Sequence, residues 1–166
     1  TGCTAYKGGG AINIRGGQTV EITSSVVAHS TAQYGGGIAA HSSVLHVSAS
    51  HIEANVASDD GGGIAVLGSA VLELKNTSIR DCVVTHAHPK LHGGGALSVY
   101  LGARALIEQC HFVGNRASYA SSIRVDDATS TKLHATILDI VHPCASTGRG
   151  LPATLGASIE IEVPRN

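Results

Sequence analysis

Four runs of three glycines divide most of the chain into segments of nearly equal length. They begin at Gly8, Gly35, Gly61 and Gly93, so that successive runs lie 27, 26 and 32 residues apart. Two segments are also alike beyond the glycines: YGGGIAAHSSVLHVSASHIEANVA spans 34–57 and GGGIAVLGSAVLELKNTSIRDCVV spans 61–84. A repeat of this length is typical of a solenoid, in which each repeat forms one coil and stacks on the next.

Within each repeat, apolar residues alternate with polar ones over three to five positions. The apolar pairs are Val20/Ile22, Leu45/Val47, Leu72/Leu74, Ala105/Ile107 and Leu133/Ala135, and five residues after each pair stand Val27, Ile52, Ile79, Phe112 and Ile140. This period of two predicts about three short strands per repeat, and no segment keeps the 3.6-residue period of a helix. Stacked coils would set each strand parallel to its copies, so we predict an all-β parallel β-helix of about five coils.

The corners of such a coil explain two sets of residues. Glycines adopt positive φ without strain and leave room for the neighbouring coil. Three positions after each isolated apolar residue, Ser30, Asn55, Cys82 and Asn115 form a column, which predicts an interrupted asparagine ladder with the asparagines in a left-handed bend. The fifth coil begins at Ser121 and Ser122, which replace glycines.

The ends of the chain depart from this pattern. We predict coils over residues 1–143 and a C-terminal cap over 144–166, in which SIEIEV alternates as a strand does. No cap is recognisable at the other end, so we expect further N-terminal sequence or a partner there.

Composition and charge exclude several classes of partner. The chain is 43% hydrophobic and 3% aromatic, which predicts a core of Val, Ile, Leu and Ala, and its formal net charge is −1. Because its eleven basic residues form no cluster, we expect no binding to nucleic acid. No apolar stretch approaches the roughly 20 residues of a membrane helix. The segment from Gly35 fits a dinucleotide fingerprint but lacks the following helix, so we expect no cofactor.

Two motifs resemble a known family of surface proteins. GGGI or GGGA, followed by the apolar pair and then by HIEANVA (51–57) or HFVGNRA (111–117), resembles the GGA(I/L/V) and FxxN repeats of chlamydial polymorphic outer-membrane proteins. The resemblance covers roughly residues 8 to 120. It implies a right-handed β-helix exposed at a cell surface and acting in adhesion.

An enzymatic alternative follows from the same architecture, because polysaccharide lyases and hydrolases also use it. Such enzymes need carboxylates that converge with a base or with calcium. The acidic pairs are Asp59/Asp60 and Asp126/Asp127, two coils apart, so we expect solvated turns rather than one shared site. Arg124, Asp126 and Asp127 are the candidate catalytic residues.

Histidines suggest one candidate metal site. His86, His88 and His92 lie in THAHPKLH, the insertion that lengthens the third repeat, and could place three imidazoles on zinc or copper. We prefer the interpretation of an exposed polar loop that contacts a partner, because the insertion contains no acidic residue and is interrupted by Pro89 and Lys90.

The four cysteines allow bridges or free thiols. Only Cys82 with Cys110, or Cys110 with Cys144, come from adjacent coils, and each pair is offset along the coil. Cys3 has no partner on an adjacent coil.

These observations predict a non-catalytic module at a cell surface or outside the cell. It would act as a rigid spacer or in adhesion to a protein or glycan ligand. The alternatives are a carbohydrate-active domain and a segment of an extracellular filament. The triplet Asn76-Thr77-Ser78 is a glycosylation sequon, which is compatible with secretion.

Overall fold

A computed structural model describes residues 2–86, 93–118 and 120–126, together with the backbone of 130–134, 137–138 and 159–161. The first sheet contains β1 (Ile12–Arg15), β5 (Ile38–His41), β9 (Ile64–Leu67), β13 (Leu97–Tyr100) and β16 (Ile123–Asp126). The second contains β2 (Thr19–Thr23), β6 (Val44–Ser48), β10 (Val71–Lys75), β14 (Arg104–Glu108) and β17 (Ser130–His134). The third contains β3 (Val26–Ala28), β7 (His51–Glu53), β11 (Ser78–Arg80), β15 (His111–Val113) and β18 (Ile137–Leu138), and the fourth contains β4 (Thr31–Tyr34), β8 (Val56–Asp60) and β12 (Val83–Val84).

Consecutive coils pair strand by strand in parallel in all four sheets. Ile12 pairs with Ile38, Ile38 with Ile64, Ile64 with Leu97 and Leu97 with Ile123. The predicted all-β parallel β-helix is therefore confirmed, with about four complete turns and the strands of a fifth. The first three turns have four strands each rather than about three. The additional strand follows the asparagine column and reads TAQY, VASDD and VV in successive turns, so no recurring alternation marks it in the sequence.

The core is a stack of aliphatic ladders. One ladder contains Leu45 and Leu72, and a second contains Ile52 and Ile79; all four side chains are fully buried. Phe112, the one phenylalanine of the chain, continues the second ladder at 0% exposure. Because each inward side chain rests on a similar one above and below, the interior is filled without large aromatic residues. Burying one Leu or Ile in this way contributes about 1.5–3 kcal/mol.

The strand register corrects the alignment of the glycine runs. Counting back from the paired isoleucines places Gly9, Gly35, Gly61 and Gly94 in one column, and all four have positive φ. The runs that begin at Gly8 and Gly93 are thus displaced by one residue from those at Gly35 and Gly61. In the next column, a Cβ on Gly10, Gly36, Gly62 or Gly95 would lie 2.2–2.4 Å from a carbonyl oxygen of the following coil. The sequence analysis took the first glycine of every run as equivalent. In the first four coils, glycine is common only to two columns, that of Gly35 and that of Gly36.

The asparagine column differs from expectation in where the left-handed bend lies. Positive φ occurs one residue earlier, at His29, Ala54, Asp81 and Gly114. The asparagines themselves are buried: Asn55 Oδ1 accepts from Ser30 N at 2.9 Å, and Asn55 Nδ2 donates to Val27 O at 2.9 Å. Asn115 makes the same two bonds to Cys82 N and Ile79 O. Each asparagine therefore caps the backbone of the preceding coil instead of stacking on another amide.

The fifth coil is two residues out of the predicted register. Thr131 pairs with Ala105 and Leu133 with Ile107, so the predicted pair Leu133/Ala135 is wrong. Leu138, rather than Ile140, pairs with Phe112. The apolar pattern misled the alignment because Thr131, a polar residue, occupies the first position of the pair.

The two ends of the stack differ. β19 (Ile159–Ile161) pairs antiparallel with β17, which ends the parallel ladder of the second sheet. The boundary at residue 143 and the cap over 144–166 stay predictions. At the other end, residues 2–8 bridge to the fourth sheet, through Thr4 to Thr31 and Gly8 to Tyr34, and Gly2 N donates to Ala28 O of β3 at 3.2 Å. β1, β2 and β3 are terminal strands. Among the described residues, no helix is long and apolar enough to cross a membrane.

Candidate functional site

The corner where the fourth sheet turns into the first carries the most extensive side-chain network of the described residues. We call it the glycine flank, and it comprises Arg15, Gln33, Tyr34, Asp59, Asp60, His86, Tyr100, Arg124 and Asp126. The glycine columns position it, because the chain can reverse closely there and bring the end of β8 beside the outward side of the first sheet. Its floor consists of small, fully buried residues, Ala39, Ala65 and Ser98.

Asp60 links three segments of the flank. Its Oδ1 accepts from Gly93 N at 3.1 Å and pairs with Arg124 Nη1 at 2.5 Å, across 64 residues of sequence. Arg124 Nη2 also contacts Asp126 Oδ2 at 2.6 Å. The side chains of Arg124 and Asp60 are 9% and 13% exposed, whereas Asp126 is 59% exposed. The guanidinium therefore joins a buried carboxylate to an exposed one.

Two tyrosines lie beside this ion-pair network. Burial, reinforced by the negative charge of Asp60, raises the pKa of Tyr100 well above its ordinary value. The Tyr34 hydroxyl accepts a hydrogen bond from Arg15 Nη2 at 3.1 Å. Both rings are half-buried, so each presents part of its surface to solvent.

The Asp59 carboxylate contacts three side chains. His86 Nδ1 lies 2.6 Å from Asp59 Oδ1, Gln33 Nε2 donates to Oδ2 at 2.8 Å, and Ser58 Oγ donates to Oδ1 at 2.9 Å. His86 lies near the start of the insertion and Gly93 directly follows it. The adjacent carboxylates Asp59 and Asp60 thus hold the two ends of the insertion on the flank.

These contacts correct the interpretation of the acidic pairs. Arg124 joins Asp60 to Asp126, although the two pairs were expected to be separate, because two coil spacings of about 4.8 Å are within the reach of an arginine and an aspartate together. The expectation of solvated turns is wrong for Asp60 and Arg124, which are buried, whereas Asp126 is exposed at the end of β16 and pairs with Arg124. The side chain of Asp127 lies outside the described residues.

Of the three candidate metal ligands, the structure describes one. His86 is exposed and paired with Asp59, while His88 and His92 lie outside the described residues. Among the residues that are described, no group of three or more His, Cys, Asp or Glu could hold a metal ion.

Cys82 and Cys110 are free, buried thiols at two different corners. Burial raises the pKa of Cys82 to about 12 and that of Cys110 to about 11. Cys82 replaces an asparagine, and Cys110 follows Ser50 and Thr77 in its own column. The alternative of a Cys82–Cys110 bridge is therefore wrong. Cys3 is free and exposed, and Cys144 lies outside the described residues.

The outward ladder of the second sheet carries paired charges. Glu21, His46, Glu73, Leu106 and Lys132 are in register from the first coil to the fifth. His46 contacts Glu73 at 3.1 Å, and Lys75 lies 3.3 Å from Glu108. On the third sheet, Arg80 pairs with Glu53. Charges on these faces are thus balanced from one coil to the next.

Sequence reasoning singled out the aspartates, Arg124 and the histidine of the glycine flank but not their contacts, and it missed Arg15, Gln33, Tyr34 and Tyr100. Tyr34, Tyr100 and Gln33 occur once each in their columns, so no repeat marks them. The one signal in the sequence is that Tyr34 and Asp60 stand between Gly8 and Gly93 in a single column, where a large and a charged residue replace glycine.

Comparison with known protein families gives one match. The family described as the right-handed beta helix region matches residues 1–144. No curated protein and no solved structure shows significant similarity to the chain.

Proposed function

Because the chain belongs to the family of right-handed β-helix proteins, we propose that it is a non-catalytic, extracellular or cell-surface module that acts as a rigid spacer and binds an extended ligand. The finer likeness to chlamydial polymorphic outer-membrane repeats is part of this proposal. A right-handed β-helix suits a surface module or a carbohydrate-active module in general, and the side chains favour the first.

The observation that carries the proposal is the mutual pairing of charges between coils. Arg124 is held between Asp60 and Asp126, and Asp59 is held by Gln33 and His86. A catalytic carboxylate or base needs its ionised or neutral form to be available to substrate. Here the most buried charged groups are used to tie coils two turns apart, which stiffens the stack.

We place ligand binding at the glycine flank. It offers half-buried aromatic rings beside exposed amide and carboxylate groups, which are the groups that bind the hydroxyls and apolar faces of sugars. It runs along the stack from Arg15 in the first coil to Asp126 in the fifth. An extended glycan or peptide would follow that direction.

The test is a glycan array probed with the purified chain, with polyuronates included and with calcium present or absent. Both retention and the release of unsaturated ends are recorded. Gln33→Ala should weaken glycan binding about tenfold, or about 1.4 kcal/mol. Lys75→Ala, which removes an exposed polar side chain from the second sheet, is the matched control and should leave binding unchanged.

Turnover would contradict the proposal and support the alternative, a carbohydrate-active domain. That alternative is favoured by one observation, the short contact of His86 with Asp59, which orients the imidazole as in a general base. If turnover occurs, His86→Gln and Arg124→Lys would be the first variants to assay. If the array shows neither retention nor release of unsaturated ends, only the spacer role of the proposal is left.

The N-terminal edge supports a second element of the proposal, a partner or preceding segment that adds strands to β1, β2 and β3. Terminal strands present backbone groups that template further pairing, and Val26 on β3 is 59% exposed. A filament segment would associate through this edge. Light scattering that grows with concentration and is abolished by Val26→Lys would support that arrangement, and a monomer at all concentrations would exclude self-association.

A further inference from the structure

One exposed corner of the coil carries a residue that the fold does not use. Asn76 lies between β10 and β11, and it begins Asn76-Thr77-Ser78, the only Asn-X-Ser/Thr triplet in the sequence. Its backbone N donates to Glu108 O at 3.1 Å, so the main chain is fixed by the neighbouring coil. Within the described part of the chain, its carboxamide makes no hydrogen bond.

The stack itself shows that this corner accepts many side chains. The equivalent residues of the other coils are Ser24, Ala49 and Gln109, all exposed, and the four have φ values of 47, 48, 47 and 53°. Serine, alanine, asparagine and glutamine therefore all stand in the same left-handed backbone. Of the two neighbours of Asn76 in this column, Ala49 has a short side chain, which leaves space on the side of the preceding coil.

The other asparagines of the coils are used by the fold. Asn55 and Asn115 are buried and cap the preceding coil, and Asn13 Oδ1 accepts from Arg15 Nε at 3.3 Å. Among these asparagines of the described residues, Asn76 alone combines exposure, an uncommitted carboxamide and a hydroxyl residue two positions later. Ser78 is half-buried, and its Oγ contacts His51 Nδ1 at 3.2 Å.

We propose that Asn76 is the acceptor of an N-linked oligosaccharide. Its Nδ2 forms a bond to the anomeric carbon of a lipid-pyrophosphate-linked oligosaccharide, loses a proton, and the lipid pyrophosphate leaves. No oxidant or reductant is required. The inference rests on the proposed extracellular location, since the donor faces the lumen of the secretory pathway.

The position has a structural consequence. Along the coil, β11 and β12 separate Asn76 from the glycine flank, so an oligosaccharide on this corner would leave the flank open. It would also project between the outward faces of the second and third sheets, where it hinders side-by-side packing of solenoids.

The test is translation of the full chain, behind a cleavable secretion signal, in the presence of microsomes from the endoplasmic reticulum. The protease-protected chain is analysed by intact mass. It is also analysed by peptide mapping after treatment with a peptide N-glycosidase, which releases the oligosaccharide and converts the glycosylated asparagine to aspartate. We expect one oligosaccharide per chain and conversion at Asn76. Protected chain with an unmodified Asn76 peptide would overturn the proposal.

Variants separate recognition from folding. Asn76→Gln, which copies Gln109, and Ser78→Ala should both abolish the mass shift, whereas Ser78→Thr should keep it. If Ser78→Ala is still modified at Asn76, the sequon does not direct the modification and the proposal fails. Thermal unfolding of Asn76→Gln should match that of the unglycosylated wild type. Glycan-array binding of Asn76→Gln tests the proposed function separately, because its loss or retention does not depend on occupancy at residue 76.

Discussion

The asparagine corner and the glycine corner solve the same problem by different means. Both must satisfy backbone groups where the chain turns out of a sheet. The asparagine corner repeats one arrangement, in which a buried amide caps the coil directly before it, at Asn55 and again at Asn115. The glycine corner combines a repeated backbone with a network that occurs once, from Asp60 through Arg124 to Asp126.

The repeated contacts are general to a solenoid, whereas the contacts that occur once are particular to this chain. Repeated contacts between neighbouring coils stabilise any number of coils in the same way. A single contact across 64 residues ties particular coils together and places particular side chains at the surface. Substitutions at the two corners should therefore differ in how much they lower the free energy of unfolding and in how many coils they affect.

The largest effect should come from the backbone of the glycine corner. In Gly36→Ala the new Cβ would lie 2.4 Å from Gly62 O and 2.5 Å from Val56 O, and neither backbone atom can move without displacing a coil. We expect a loss of at least about 3 kcal/mol in the free energy of unfolding, and little soluble protein. Denaturant unfolding monitored by circular dichroism measures it.

Gly37→Ala is the matched control. Its Cβ would meet Gly63 O at 2.9 Å, and the chain already places Ala96 and Ser122 in that column. A loss of about 1 kcal/mol is expected. Equal losses in the two variants would show that the column assignment is wrong.

Asn55→Ala should have the next largest effect. It leaves Ser30 N and Val27 O without partners in a buried corner, and each such group costs about 1–3 kcal/mol. We expect a loss of about 3 kcal/mol. Asn115→Ala should cost a similar amount, because the two amides make equivalent bonds. A result near zero at both positions would mean that water satisfies the corner.

These repeated features are the ones that the sequence predicts well. Parallel strands, the apolar ladders and the column of Ser30, Asn55, Cys82 and Asn115 each recur at a fixed spacing, so several weak signals support one another. The left-handed position was misplaced by one residue because no residue type recurs there, the column being His29, Ala54, Asp81 and Gly114. Contacts with the neighbouring coil hold them in that conformation.

Disrupting the single long-range contact should have a smaller effect that is confined to the end of the stack. Arg124→Met removes the guanidinium from the Asp60 carboxylate, while Asp60→Asn keeps an acceptor for Gly93 N. We expect losses of about 2–3 kcal/mol for Arg124→Met and less for Asp60→Asn. A double-mutant cycle should give a coupling energy of about 1–2 kcal/mol. Hydrogen exchange should increase in β16 and not in β6 or β7, and an increase throughout would contradict a local role.

No spacing in the sequence marks this network. Asp60 and Arg124 are ordinary charged residues within their own repeats, and they meet only because two coil spacings and the glycine turn bring them to one surface. The same holds for Tyr34, Tyr100 and Gln33, whose columns contain no second residue of their kind. The periodicity of the sequence therefore predicts the strands and turns that carry the candidate site. Predicting which side chains meet there also requires the register between coils.

At neutral pH the smallest effect should come from Cys82 in the asparagine column, because its contribution changes only at alkaline pH. Burial raises the pKa of the Cys82 thiol from 9.0 to about 12, so the folded chain keeps the proton that the unfolded chain releases. The stability contributed by this group is complete below about pH 9 and is lost as pH rises towards 12, at about 1.4 kcal/mol per pH unit. Cys82→Ser copies Ser30 of the same column and removes this titration. The difference in unfolding free energy between wild type and Cys82→Ser should be constant below pH 9 and should shift in favour of the serine variant above it. Parallel curves would mean that the thiol reaches solvent, and that the asparagine column opens at Cys82, where it lacks its amide.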